Sequence, residues 1–165
     1  MSAFIYVRRT FSSERENMEL LDLRFSEKTL KILKGMSGQV FEKYRCDPSI
    51  FHPVYLLPVG IYAGGKCYIM TQEMTGRAAG GKKTDVLEWI FREAEEKEIH
   101  SSRPDVVQED HALQKEIKEV RIINEKKTLS RCGKAEYRVY LTKAVRFIFE
   151  KGYLQIRKPV YFSPF

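Results

Sequence analysis

Residues 76–84, with the sequence GRAAGGKKT, have types and a spacing that could bind phosphate. A phosphate-binding loop needs backbone N–H groups around the phosphates, a lysine on the terminal phosphates and a hydroxyl group on Mg²⁺. Gly76 and Lys82 fit this pattern, but Lys83 stands where the hydroxyl-bearing residue belongs. A later strand-like run ends in Asn124, where a metal-positioning aspartate would be needed. We therefore favour a flexible basic loop over a nucleotide-hydrolysis site.

A pair of adjacent carboxylates, Glu109 and Asp110, could carry out acid/base chemistry or neutralise a cationic ligand. Adjacent residues on a strand point to opposite faces, so at most one of the two can face a pocket. We choose Glu109 for this role. The aromatic residues are numerous and could line such a pocket, although such residues more often belong to a core. The predicted pocket has Glu109 at its base and is lined by Tyr62, Tyr68, Trp89 and Phe91.

The excess positive charge is concentrated in the last part of the chain. Residues 128–165 contain eight basic and two acidic side chains, which gives +6 of the formal net charge of +7. A polyanion or an acidic partner should therefore bind there, although a basic surface alone is a weak signal. The residues predicted to bind nucleic acid or another polyanion are Arg131, Lys134, Arg138, Lys143, Arg146, Arg157 and Lys158.

The cysteines and histidines do not indicate a metal site. The three cysteines are far apart and odd in number, so neither a disulfide framework nor a Cys-x-x-Cys site can be assembled from them. The histidines lack partners at the spacing of metal ligands. No apolar run approaches the roughly 20 residues that span a bilayer, and no signal peptide is recognised. We expect a cytoplasmic binding protein without cofactor, metal or catalytic residues, rather than an enzyme.

The pattern of apolar residues predicts an α+β fold, an antiparallel sheet with two or three helices packed on it. Strands are predicted at residues 4–7 and 21–25, within 54–70, at 106–107 and 120–123, and from 153. Helices are predicted at residues 27–34, 84–96 and 136–151. We expect an α+β domain over residues 1–127 and a basic helix-strand extension over residues 128–165, packed on the same domain.

Part of the chain resembles a known family. The segments LPVGIYA from Leu57, DVLEWIFREAEE from Asp85, RPDVVQE from Arg103 and IKEVRII from Ile117 look like the second half of the gyrase-inhibitor-like domain. This domain is the effector-binding module of MerR-type regulators, and the resemblance covers about residues 54–124. It implies repeated β-α-β-β units and a buried glutamate that meets cationic, aromatic ligands, at about Glu109 in this chain. Gln108 stands where the family usually has a tyrosine.

Two functions follow from the sequence. The first is a non-enzymatic, regulatory module that binds a small aromatic or cationic ligand. The second is a basic protein that binds nucleic acid, or inhibits a nucleic-acid-binding protein, through a face formed by the C-terminal cations. A deep apolar cleft would favour the first function and a flat basic face the second. The sequence leaves the oligomeric state open.

Overall fold

Nine β-strands and two short helices form the described part of the chain. The structure is a computed structural model, and it describes residues 20–46, 59–79, 82–99, 108–131 and 134–158. The elements are β1 (Leu20–Leu23), α1 (Glu27–Lys34), β2 (Val40–Cys46), β3 (Val59–Ala63), β4 (Lys66–Ala79), β5 (Lys82–Glu93), α2 (Glu96–Ile99), β6 (Glu109–Glu116), β7 (Glu119–Arg131), β8 (Lys134–Ile148) and β9 (Tyr153–Arg157).

The strands form two sheets, so the predicted α+β fold is wrong. Sheet 1 contains β1, β7, β8 and β9, and sheet 2 contains five strands in the order β5-β4-β3-β2-β6. All pairs in sheet 2 are antiparallel. The described residues provide only two short helices, and most of them belong to strands. The fold is therefore mostly β. It is not the predicted arrangement of one sheet with two or three helices packed on it.

Strand β8 is the centre of sheet 1. Strand β7 pairs with it along one edge, and two strands share its other edge end to end. Strand β1 runs parallel beside residues 138–141, and β9 runs antiparallel beside residues 144–148. Thr142 lies between them, where its hydroxyl group accepts the Phe25 N–H at 2.9 Å and donates to Asn124 Oδ1 at 3.0 Å.

Aromatic side chains from both sheets form the hydrophobic core. The Phe41 ring of sheet 2 lies 5.1 Å from the Phe147 ring of sheet 1 and 6.0 Å from the Phe149 ring, both in edge-to-face geometry. The rings of Trp89 and Phe25 are 5.3 Å apart. Edge-to-face and tilted aromatic pairs of this kind stabilise a core beyond their burial alone. These contacts hold the two sheets together.

The predicted helix at Glu27–Lys34 is confirmed. Ser26 caps its N-terminus, because the Ser26 hydroxyl oxygen accepts the Thr29 N–H at 3.2 Å. Gly35 is its C-cap, as the sequence predicts, and the buried side chain of Leu33 joins the core. The helix follows β1 and contacts both sheets, at β5 and at β7.

The predicted helix at residues 84–96 is wrong, because most of this segment belongs to β5. Its apolar residues fit the helical spacing as well as the alternation of a strand. In the structure Trp89 and Phe91, two residues apart on one face of β5, both belong to the core. The strand pairs with β4 along its whole length. Aromatic and β-branched side chains favour a pleated, half-buried strand, and here that tertiary pairing decides the outcome.

The predicted helix at residues 136–151 is also wrong, because β8 covers most of it. The register with β7 shifts at Lys143, so this residue is an extra residue in the strand. Val139 and Leu141 belong to a small cluster of their own, whereas Val145 and Phe147 belong to the main core. A bulge of one residue reverses which face the odd-numbered residues occupy, and this hides the period of two that indicates a strand.

Several predicted strands are confirmed, among them β1, β7 and the edge strand β9. The segment before Met70 contains β3 and the start of β4, with Gly64 and Gly65 between them at positive φ. The predicted strands at residues 4–7 and 106–107 lie outside the described residues. The predicted boundary between residues 127 and 128 falls inside β7.

Candidate functional site

Three of the five residues predicted to bind a small ligand lie in the core between the sheets. Tyr68, Trp89 and Phe91 are between 2% and 6% exposed. The rings of Tyr68 and Phe91 stack 5.3 Å apart, with an angle of 11° between their planes. These side chains therefore act as packing groups, in agreement with the alternative that the sequence left open.

Tyr62 lies on the opposite face of sheet 2 from this core group. The strand register places it beside Cys67, the neighbour of Tyr68, and successive side chains in a strand alternate between faces. The Lys43 ammonium group lies 4.6 Å from the Tyr62 ring centroid, and the Arg45 guanidinium group lies 5.4 Å from it. Burial raises the pKa of Tyr62 to about 12.

The cations beside Tyr62 are already paired with a carboxylate. Arg45 donates to Asp110 at 2.6 Å, and Lys43 donates to the same side chain at 2.9 Å. These hydrogen bonds, with the one from Arg45 the larger cause, hold the pKa of Asp110 well below its usual range. Asp110 therefore stays ionised and neutralises part of the positive charge, which makes this cluster a poor site for an anionic ligand.

Glu109 is the first residue of the edge strand β6 and does not lie in a pocket with the aromatic residues. Its side chain is 53% exposed, and its carboxylate lies 3.7 Å from His111 Nε2. A carboxylate in contact with water keeps its hydration and cannot serve as a buried counter-charge. The described residues therefore do not bring the five side chains together, and the small-ligand hypothesis stays a prediction.

The described residues of the basic segment, 76–79 and 82–84, belong to two paired strands and do not have the geometry of a phosphate-binding loop. Strand β4 extends to Ala79, and β5 begins at Lys82, which pairs with it. A phosphate-binding loop leads from a strand into a helix, whose N-terminal N–H groups face the phosphates. Here a strand follows, and its backbone groups pair with β4. The flexible-loop interpretation is wrong for the paired residues.

The seven cations predicted to bind a polyanion do not share one face. Arg131 and Lys134 pair at the tip of the β7–β8 hairpin, and Arg138 lies on the opposite side of the sheet from Val139. Lys143 is the extra residue of the bulge and lies 3.4 Å from Glu125 Oε2.

Lys158 follows β9 and is less available to a ligand than its position in the sequence indicates. Its backbone N–H donates to the Lys143 carbonyl oxygen at 2.7 Å, which extends the pairing of β9. Burial, followed by the nearby charge of Lys127, lowers the pKa of the Lys158 ammonium group. The register places Arg146 and Arg157 on the same face of sheet 1.

We call the side of sheet 1 that is turned away from the core the outer face. Part of it is apolar and buried, where Leu21 and Leu23 contact Val139 and Leu141. Beside this apolar part, three rows cross β7, β8 and β9. These rows are Glu119, Ile148 and Tyr153; Arg121, Arg146 and Gln155; and Ile123, Ala144 and Arg157.

The middle of the outer face contains a cation stacked on an exposed tyrosine. The Arg146 guanidinium carbon lies 4.6 Å from the centroid of the Tyr153 ring. Arg146 also donates to Gln155 Oε1, from Nη2 at 2.6 Å and from Nε at 3.0 Å. Tyr153 is 60% exposed, so part of its ring is free to contact another flat group.

Two further arginines flank this group. Arg121 lies directly opposite Arg146 in the register, and Glu119 pairs with its guanidinium group at 3.1 Å. Like charges directly opposite each other destabilise a sheet. Arg157 lies one row away and is exposed, and none of the described carboxylates pairs with it. An anion bound at this face would reduce the repulsion between the opposed cations.

Sequence reasoning identified Arg146 and Arg157 but missed Arg121, Tyr153 and Gln155. The spacing of two residues from Tyr153 to Arg157 indicates one face of a strand and could have joined these side chains. Arg121 could not be assigned, because its proximity to Arg146 depends on the register of β7 with β8. Nothing in the separate segments specifies that register.

A second aromatic residue of sheet 1, Tyr140, is already covered by cations. The Arg24 guanidinium group lies 4.2 Å from its ring centroid, and the Lys126 ammonium group lies 5.1 Å from it. Asp22 pairs with Arg24 at 2.7 Å. Because its ring is occupied, Tyr140 offers less surface for stacking than Tyr153 does.

Comparison of the chain with protein-family models, curated proteins and solved structures gives no match. The resemblance to the gyrase-inhibitor-like domain therefore stays a prediction. Among the described residues, no group of three or more potential ligands is arranged to hold a metal ion. No helix in the described ranges is both long and apolar enough to cross a membrane.

Proposed function

We propose that the protein binds single-stranded nucleic acid through the outer face of sheet 1. The observation that carries this proposal is the exposed Tyr153 ring with Arg146 stacked on it, flanked by Arg121 and Arg157. Proteins that bind single strands combine cations along the backbone path with aromatic rings on which bases stack. The outer face contains both kinds of group within three adjacent rows.

The chemistry of the side chains agrees with this ligand. Arginine guanidinium groups form strong, charge-assisted hydrogen bonds with phosphate oxygens. A base stacked on Tyr153 gains contact with a ring that is fixed on its strand and costs little side-chain entropy to immobilise. The surplus charge of residues 128–165, most of which form β8 and β9, attracts a polyanion to this part of the molecule.

The proposal includes the cytoplasmic location expected from the sequence. Cys46 and Cys67 are free thiols, which is compatible with a reducing compartment. A single-stranded nucleic acid is available as a ligand there.

The first test measures the affinity of the protein for a fluorescein-labelled 12-nucleotide DNA or RNA strand by fluorescence anisotropy over a range of salt concentrations. We expect Tyr153→Ala to weaken binding about tenfold, because one stacked base is lost. Tyr153→Phe keeps the ring and should remain close to the wild-type protein. The salt dependence should be the same in all three proteins, because none of them differs in charge.

The second test changes the charge. Arg157→Ala should reduce the slope of log K against log salt by about 0.7, the value expected for one lost phosphate contact on a single strand. Lys97→Ala is the matched control. Lys97 belongs to α2, which follows strand β5 of sheet 2 in the chain, and its side chain is 81% exposed. No binding by the wild-type protein would contradict the proposal. Equal slopes for the wild-type protein, Arg157→Ala and Lys97→Ala would also contradict it.

A further inference from the structure

The side chain of Gln155 has a fixed orientation on the outer face. Its Oε1 atom accepts two hydrogen bonds from Arg146, at 2.6 Å and 3.0 Å. A guanidinium group has only donors, so the atom facing it must be the oxygen of the amide. The usual ambiguity between the amide oxygen and nitrogen is therefore removed at this position.

This orientation leaves the amide nitrogen as the group that is available to a ligand. No residue in the described ranges accepts a hydrogen bond from Gln155 Nε2, and the side chain is partly exposed. A glutamine that is free to rotate can either donate or accept. Gln155 can only donate, because its acceptor is occupied by Arg146.

Gln155 lies close enough to Tyr153 to contact the nucleotide next to the one that stacks. The two residues are alternate positions on one strand and lie on the same face, which separates them by about 7 Å along β9. Arg146 contacts both side chains and keeps them in one arrangement. A strand bound across the outer face would therefore place a base edge near the amide nitrogen.

We infer that Gln155 makes the outer face prefer uracil, thymine and guanine, which have a keto oxygen at C4 of the pyrimidine or C6 of the purine, over cytosine and adenine, which have an amino group at that position. The keto oxygen at C4 or C6 accepts a hydrogen bond from Nε2. An exocyclic amino group is a donor, and it would meet another donor. This inference rests on the proposed function, because it concerns base selection by the same face.

The test compares the affinities for dU12 and dC12, two pyrimidine strands that lack the thymine methyl group. We expect the wild-type protein to prefer dU12 about fivefold, the effect of one net hydrogen bond. Gln155→Leu should remove the preference, because it has no donor. Gln155→Glu should reverse it, because the oxygen that replaces Nε2 accepts from the cytosine amino group. Lys97→Ala should keep the wild-type ratio.

The outcomes separate the two proposals. If the wild-type protein binds neither strand, the proposed function fails. If it binds both strands but shows equal affinities, or if the ratio is unchanged in Gln155→Glu, base selection by Gln155 is contradicted while the binding face stands. Circular dichroism and thermal melting of each variant verify that it is folded. Gln155 is partly exposed on an edge strand, where substitutions usually have small effects on stability.

Discussion

The two long hairpins of this protein treat a buried polar side chain in opposite ways. In the β7–β8 hairpin, Thr142 is 1% exposed, and its hydroxyl group both accepts and donates a hydrogen bond. In the β4–β5 hairpin, Gln72 is 8% exposed. Neither its amide oxygen nor its amide nitrogen has a hydrogen-bond partner among the described residues.

The difference shows that burial alone does not say what a polar residue contributes. Thr142 lies in β8, and its hydroxyl group is hydrogen-bonded to Phe25, which follows β1, and to Asn124 of β7. These hydrogen bonds therefore specify how the edge of sheet 1 is assembled. Gln72 loses its contacts with water and receives none in return, and an unsatisfied buried group costs free energy. We therefore expect one hairpin to be stabilised, and the other to be destabilised, by its buried polar side chain.

The largest expected effect is found by comparing a buried position in the β7–β8 hairpin with an exposed position in the β4–β5 hairpin. Phe147 is fully buried and contacts Phe41, so Phe147→Ala should lower the free energy of unfolding by about 3–5 kcal/mol. Met74 in β4 is 54% exposed, and Met74→Ala should change the free energy of unfolding by less than about 0.5 kcal/mol. Urea denaturation measures both values. Similar losses in the two variants would show that β4 is buried at Met74.

The next effect concerns the satisfied side chain. Thr142→Val keeps the shape of the residue but removes the hydroxyl group, which leaves the Phe25 N–H without its acceptor. We expect a loss of about 1–3 kcal/mol in the free energy of unfolding. Thr75→Val, a matched change of a partly buried threonine that donates to Glu88, should cost less. Equal losses would mean that the junction at Thr142 has no special role.

The smallest expected effect has the opposite sign. Gln72→Met has a similar length and no amide, so it removes two unsatisfied polar atoms from the interior. We expect the free energy of unfolding to rise by about 1 kcal/mol, as measured by urea denaturation. Gln39→Met is the comparison. The Gln39 Nε2 donates to the Gly35 carbonyl oxygen and only its Oε1 is unsatisfied, so this substitution should stabilise less than Gln72→Met. A loss of stability in Gln72→Met would disprove the absence of a partner.

Local signals predicted some elements because the local sequence determines them. Ser26 and Gly35 fix the ends of α1, and Gly64 and Gly65 provide the positive φ values of the β3–β4 turn. The helix predicted over residues 84–96 fails because pairing with β4 overrides a pattern that fits both periods. The helix over residues 136–151 fails because the bulge at Lys143 shifts the alternation.

The candidate site was predicted less well than the fold elements. The sequence identifies the cations Arg146 and Arg157, because charge can be counted without a structure. It does not show that Arg146 contacts Tyr153 and faces Arg121. These neighbours are set by hydrogen-bond registers between separate strands, and register depends on the faces that the whole core buries.

The parallel pairing of β1 with β8 has a consequence for the time at which the protein can fold. Phe25 and Thr142, which meet at the end of this pairing, are 117 residues apart in the chain. A ribosome that adds about 5–20 residues per second needs about 6–23 s to make the intervening segment. During this interval β1 has no partner in β8. The β1 edge of sheet 1 is therefore completed late in synthesis, and until then β1 is an unpaired strand that can aggregate.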